Sequence, residues 1–192
     1  MSYTVGFAMT GSFCTFDTVI AQMEKLVRAG YAVVPILSQN AYGLDTRFGT
    51  AESFRARITA LTGREIIHTI PAAEPIGPQK LLDVLLIAPC TGNTLGKLAG
   101  GITDTPVTLA AKAHLRNRRP VLLAVSSNDA LSASARNIGT LLNTKRIFFV
   151  PMRQDSPVGK PESLVADFEK IPAAVAAALE ERQLEPVFIE PV

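Results

Sequence analysis

Three short stretches of this sequence gather hydroxyl, amide and thiol side chains just where an aliphatic run ends: "TGSFCTF" at residues 10–16, "APCTGNT" at 88–94 and "VSSNDAL" at 125–131. In the first, Gly11 permits a tight turn while Thr10, Ser12 and Thr15 set hydroxyls beside the open N–H groups of a helix start, a combination that seats a phosphate. In the second, Thr91, Asn93 and Thr94 can cap a helix, bind phosphate or hydrogen-bond a flat heterocycle. A capped helix start would explain either loop alone. Their convergence on one place in the fold favours a ligand site.

The common nucleotide signatures are incomplete. The first loop has one glycine where the dinucleotide fingerprint needs three, and "GNTLGKL" (92–98) has the wrong spacing for a triphosphate loop, with Leu98 where a hydroxyl should hold magnesium. A single phosphate held by hydroxyls and a helix N-terminus fits flavin mononucleotide (FMN) better than a dinucleotide. No metal is expected: the two histidines (His68, His114) and two cysteines (Cys14, Cys90) form neither a C-x-x-C nor a Cys/His cluster. His68 ends an apolar strand, and His114 sits near a helix end where a cation suits the dipole. Cys14 and Cys90 follow neighbouring strands, either as a redox pair or as small residues beside a ligand.

The elements that must position these loops follow one grammar. "YTVGFAM" (3–9), "YAVVPIL" (31–37), "REIIHTI" (64–70), "LLDVLLIA" (81–88), "RPVLLAV" (119–125) and "RIFFV" (146–150) are apolar runs of strand length. Between them lie helical patterns at 16–30, 51–63, 106–117, 130–142 and 162–182, whereas the three prolines of 71–80 exclude a long helix. Continuous apolar strands alternating with helices predict a doubly wound α/β/α domain, Rossmann/flavodoxin-like, with six parallel strands in the order 3-2-1-4-5-6. Strands 1 and 4 are then neighbours at the reversal of strand order, and their loops face one crevice.

Bulk properties agree with one domain over residues 1–192 with a short detachable tail at about 184–192. The chain has 192 residues, 47% of them hydrophobic and 19% charged, enough to bury a sizeable core. Nineteen Lys and Arg against 17 Asp and Glu are too balanced to indicate nucleic acid or an anionic membrane. The N-terminus lacks a basic leader and no apolar run is long enough to span a bilayer, so a cytoplasmic location is expected.

The motifs "TGS", Ser38, "APCTGNTLGKLAGGITD" and "VSSNDAL" together resemble the flavoprotein family of homo-oligomeric flavin-containing cysteine decarboxylases, in order and spacing over roughly residues 3–150. That family usually shows Pro-Ala-Ser/Thr-Ala-Asn-Thr, so Cys90 and Gly92 are departures. The resemblance implies FMN, with Thr10, Gly11, Ser12, Phe13 and Ser38 around its phosphate. Ala88, Pro89, Cys90, Thr91, Asn93 and Thr94 would line the isoalloxazine, and Ser126 to Asn128 would close the pocket.

Three further departures argue against cysteine decarboxylation. The family's catalytic His falls on Pro75, "VSSN" lacks the Pro and Met of the usual motif, and "PMRQDSPVGKP" lacks the substrate-clamp Cys. The pattern running on through "NDALSASARNIGTLLNTKRIFFVPMRQDSP" is similar to a branch working as one half of a two-component oxidoreductase. That likeness implies a partner chain carrying NAD or NADP, a small dicarboxylate substrate and a homo-oligomer. Cations for the carboxylates would be Arg153 and Lys160, with Arg47 and Lys97 as other candidates. An FMN-dependent decarboxylase or prenyltransferase, or a non-catalytic assembly protein without cofactor, are the alternatives.

Overall fold

The computed structural model describes residues 3–190. Its elements are β1 (Thr4–Met9), α1 (Phe16–Arg28), β2 (Ala32–Leu37), α2 (Gln39–Gly43), α3 (Ala51–Thr62), α4 (Ile70–Ala73), β3 (Val84–Cys90), α5 (Gly92–Ala99), α6 (Pro106–Arg116), β4 (Val121–Ser127), α7 (Ala135–Leu142), β5 (Ile147–Phe149), β6 (Met152–Ser156), β7 (Lys160–Ala166) and α8 (Ile171–Leu179). Among the described residues they build a seven-stranded sheet, ordered β2-β1-β3-β4-β7-β6, with β5 also paired to β4. The pairs β1–β2, β1–β3, β3–β4 and β4–β5 are parallel, as expected of strands that read as continuous apolar runs.

Helix α1 shows how the sequence dictates an element. Phe16, Val19, Ile20, Met23 and Leu26 recur at three- and four-residue spacing and are all buried on one face of the sheet. Gly30, at φ +89°, then takes the left-handed conformation that other residues disfavour. Its N–H donates to the Val27 carbonyl while that of Tyr31 donates to Leu26, closing the helix with a Schellman turn. Helices α3 and α8 join α1 on this face, and α5, α6 and α7 cover the other.

The expected strand order describes the parallel part of the sheet, but its third strand is reduced to one bridge, Ile36 with Ile67. The Ile67 N–H donates to the Pro35 carbonyl and its carbonyl accepts from the Leu37 N–H. Pro35 has no N–H to offer in return, so the ladder stops there. The helix expected at 162–182 is also corrected. Residues 160–166 form β7, hydrogen-bonded antiparallel to β6 and to the end of β4, and only Ile171–Leu179 is α-helical. Pairing on both sides overrides the local helical spacing. The helix expected from 130 begins at Ala135, because the backbone carbonyl of Asp129 accepts from the N–H groups of Ser132 and Ser134 in a preceding turn.

The segment read as a detachable tail is tied to the sheet. The Met152 N–H donates to the Val187 carbonyl, the Ile189 N–H donates to the Met152 carbonyl, and the Gln183 amide brackets both backbone groups of Phe149. Residues 191 and 192 of that tail, like Met1 and Ser2, lie outside the described residues.

His114 departs from the reading of a cation at a helix end. It is buried with no partner for Nε2 among the described residues, and burial, helped by the charge of Arg119, pushes its pKa down to about 4. The unfolded chain, with an ordinary histidine near 6.5, therefore binds more protons between pH 6.5 and pH 4, and stability falls as pH drops through that window. The full effect is about 3 kcal/mol. Denaturant unfolding of the His114→Gln variant across this window is expected to show a flatter pH dependence than the parent; equal slopes would contradict the assignment.

Candidate functional site

Strands β1 and β3 are adjacent, yet the chain leaves β1 toward β2 and leaves β3 toward β4, so the loops after them part at their carboxyl ends. Thr10 and Pro89 join the two strand ends. The Thr10 N–H and hydroxyl both donate to the Pro89 carbonyl, at 3.2 and 2.7 Å, and the Thr91 N–H donates to the Thr10 hydroxyl at 3.1 Å. Pro89 cannot donate to the ladder, so the threonine side chain continues the pairing that the proline interrupts. Thr10 thus fixes the distance between the two candidate loops, and its hydroxyl is engaged within the protein.

Two cavities open on either side of this junction and share Gly11, Thr91 and Asn93. The first, about 460 Å³, is lined by Ser12, Cys14, Thr15, Ser126 to Asp129, Asp155, Lys160, Ser163 and Val165. The second, about 570 Å³, is lined by Thr10, Ser38, Gln39, Asn40, Thr94, Lys97, Asp104 and Thr105. Helix α5 starts between them. Its cap Thr91 accepts from the Thr94 N–H, while the first-turn amides of Gly92 and Asn93 have no acceptor among the described residues. Ser38 likewise caps α2 by accepting from the Ala41 N–H.

The structure therefore brings together Thr10, Gly11, Ser12, Ser38, Thr91, Asn93, Thr94, Ser126, Asn128 and Lys160. It does not bring Phe13, Ala88, Pro89, Cys90 or Arg153 onto either cavity. Phe13 packs against Phe16, with ring centroids 5.0 Å apart, and so anchors the loop that carries Ser12. Cys90 is wholly buried among the apolar residues of the α5 face, and burial pushes its thiol far up, while Cys14 is exposed at the cavity edge. Those environments do not make a redox pair. Arg153 is held by Asp167 at 2.7 Å and Lys97 by Asp104 at 2.7 and 2.8 Å. Arg47 lies over the Phe48 ring on the surface.

The hairpin β6–β7 supplies the wall that sequence reasoning missed. Pairing of Ser126 with Val165 and Ser127 with Leu164 carries Asp155, Lys160 and Ser163 across the carboxyl end of the sheet. Lys160 pairs with Asp155 at 2.7 Å, an interaction that raises its pKa and keeps it a cation. Opposite, Ser12 and Ser126 are within hydrogen-bond distance at 2.8 Å, linking the first and third of the polar stretches.

Asp129 was also missed. The Ser127 and Ser134 hydroxyls each donate to one of its carboxylate oxygens, the Ser134 contact at 3.0 Å. A Cβ on residue 92 would lie 2.5 Å from Asp129 Oδ1, 2.5 Å from Ser127 Oγ and 2.7 Å from Ser134 Oγ. The glycine is what lets this carboxylate sit over the start of α5. Gly92, a departure from the motif of the family the sequence resembles, was the available signal: something larger takes the space.

The donor set suits a phosphorylated flavin. Hydroxyls, an amide side chain and open helix amides surround the shared junction, and both cavities border it through Gly11, Thr91 and Asn93. Histidine is missing from both linings.

Residues 1–180 match the family model described as Flavoprotein. The chain is 46% identical over 186 residues to the B subunit of dipicolinate synthase from Bacillus subtilis (strain 168), covering 97% of this chain and 93% of that protein. The crystal structure of the corresponding B subunit from Bacillus halodurans superposes with a TM-score of 0.91 at 43% identity, and 100% of each chain is covered. DmrB of Burkholderia xenovorans in complex with FMN, described as a cubic protein cage for redox transfer, shares the fold at a TM-score of 0.71 and 18% identity, over 93% of this chain and 96% of that one.

Proposed function

The chain belongs to the flavoprotein family, and from that premise we propose that it serves as the B subunit of a dipicolinate synthase. In this reading it acts with the A subunit of that enzyme to oxidise a dihydrodipicolinate-level intermediate of the lysine pathway to pyridine-2,6-dicarboxylate, in the mother-cell cytoplasm of a sporulating bacterium. The observation that carries the reading is the 46% identity over 97% of the chain. Among the described residues no helix is long and apolar enough to cross a membrane, which is compatible with that location.

FMN is the ligand proposed for the two cavities. Gly11, Ser38, Asn40 and Thr94, with the first-turn amides of α5, would hold the phosphate. Ser12, Thr91, Asn93, Ser126 and Asn128 would face the ring. Bound there, the flavin would supply a two-electron acceptor. The protein's own task is to hold the dicarboxylate against it, with Lys160 and the hydroxyls of Ser126 and Ser163 offering donors to carboxylate oxygens. NAD or NADP is placed on the dehydrogenase-like partner, the A subunit, while a homo-oligomer of this chain is proposed by analogy with the family.

A cysteine decarboxylase or prenyltransferase fits less well. The position of the family's histidine is Pro75, in the turn Glu74–Ile76, which touches neither cavity. The function is tested by assaying both purified chains, singly and together, with the precursor and either nicotinamide nucleotide. Dipicolinate is expected only from the pair. Equal product from the dehydrogenase-like partner by itself, or amino-acid decarboxylation by this chain alone, would overturn the reading.

A further inference from the structure

The oxidation releases a proton as well as an electron pair, and the wall of the 460 Å³ cavity contains one group suited to take it. The ionisable side chains that line it are Cys14, Asp129, Asp155 and Lys160. Asp155 is engaged in an ion pair with Lys160 at 2.7 Å, and Cys14 sits at the exposed edge. Of these four, Asp129 alone presents a carboxylate with no cationic partner among the described residues. We propose that Asp129 is the proton acceptor of the dehydrogenation and that Ser127 and Ser134 are its positioning residues. The assignment rests on the dipicolinate synthase reading.

The geometry supports it in three ways. Each carboxylate oxygen receives one serine hydroxyl, which fixes the plane of the carboxylate and leaves lone pairs on both oxygens. Gly92 leaves open the space that the carboxylate fills, so its placement is built into the backbone. Ser126 and Asn128, on the same strand end, line the same cavity and offer donors to substrate carboxylates. A carboxylate beside a dianionic substrate would repel it, which makes a role in substrate affinity a poor explanation and a proton-transfer role a good one.

The step balances. At one ring carbon of the dihydropyridine the C–H bond breaks, and hydrogen leaves with both electrons to the two-electron acceptor, a flavin or nicotinamide ring. At the neighbouring ring atom the hydrogen leaves as a proton to Asp129, and the electron pair of that bond becomes the new ring double bond. The acceptor is reduced, the ring is oxidised to the aromatic pyridine, and protonated Asp129 returns its proton to water.

The test uses the two-chain enzyme with Asp129→Asn, which keeps the shape and can still accept from one serine, and with Asp129→Ala. Turnover by Asp129→Asn is expected to fall by about 10²- to 10⁴-fold, while calorimetric affinity of this chain for dipicolinate stays within about threefold of the parent or improves as repulsion is removed. Added formate is expected to restore part of the turnover of Asp129→Ala in a concentration-dependent way, which a purely structural role would not produce. Turnover by Asp129→Asn near the parental rate, or loss of dipicolinate affinity in proportion to rate, would overturn the assignment while leaving the synthase reading intact. A parental pair that makes no dipicolinate would overturn both.

Discussion

Gly92→Ala is expected to lower dipicolinate formation by the two-chain enzyme about 10²-fold, the scale of effect seen when a reacting group is displaced by roughly an ångström. The chain should still fold. The atoms a new methyl group would meet, Asp129 Oδ1, Ser127 Oγ and Ser134 Oγ, are all ends of side chains that can swing away, so the penalty in stability is about 1–3 kcal/mol. Swinging away separates the carboxylate from its two serine donors and turns it from the position that faces the cavity. Adding Asp129→Asn to Gly92→Ala should then lower the rate no further, because both changes remove the same group. Full additivity of the two losses, or a Gly92→Ala enzyme as fast as the parent, would show that the glycine serves something other than Asp129. Gly92 opens α5 and is not among the residues with positive φ, so backbone conformation does not require a glycine there.

Much of this site could be read from the chain before its structure. The apolar runs at 3–9, 31–37, 81–88 and 119–125 became parallel strands, and "TGSFCTF" and "APCTGNT" met at the reversal of strand order because β1 and β3 are neighbours. Some of these polar residues have structural duties, Thr10 joining β1 to β3 and Ser38 and Thr91 capping helices, but their gathering at one sheet edge is what carried information. Direction of side chains was less legible. Cys90 lies within a polar motif, yet a register shift between Ile87 and Cys90 goes with its burial in the core. Phe13 sits between two cavity residues, yet its ring turns back onto Phe16. Such reversals depend on backbone geometry at single residues, which spacing alone does not encode.

The hairpin β6–β7 was illegible for a different reason. "ESLVADFEKI" carries a helical spacing of apolar residues, and only pairing with β6 and with the last two residues of β4 makes its first half a strand. The β4 partners lie far away in sequence, so no local window contains them. With the hairpin misread, Arg153 and Lys160 looked equivalent as substrate cations. The register separates them: Arg153 is committed to Asp167, with both side chains only 19% exposed, whereas Lys160 lines the cavity.

The FMN site proposed above lies where the loops after β1 and β3 meet. Three features would give the phosphate its charge-assisted hydrogen bonds: the open amides of α5, the hydroxyls of Ser38 and Thr94, and the Asn40 amide. A hydrogen bond to a charged group contributes about 1.5–3 kcal/mol, so even one of them distinguishes FMN from riboflavin by roughly ten- to a hundredfold in affinity. Titration of the purified chain with each flavin, followed by flavin fluorescence, tests this most directly. Saturable binding of one FMN per chain is expected, with riboflavin binding at least about tenfold weaker. Equal affinity for the two flavins, or no binding of FMN at millimolar concentration, would contradict it.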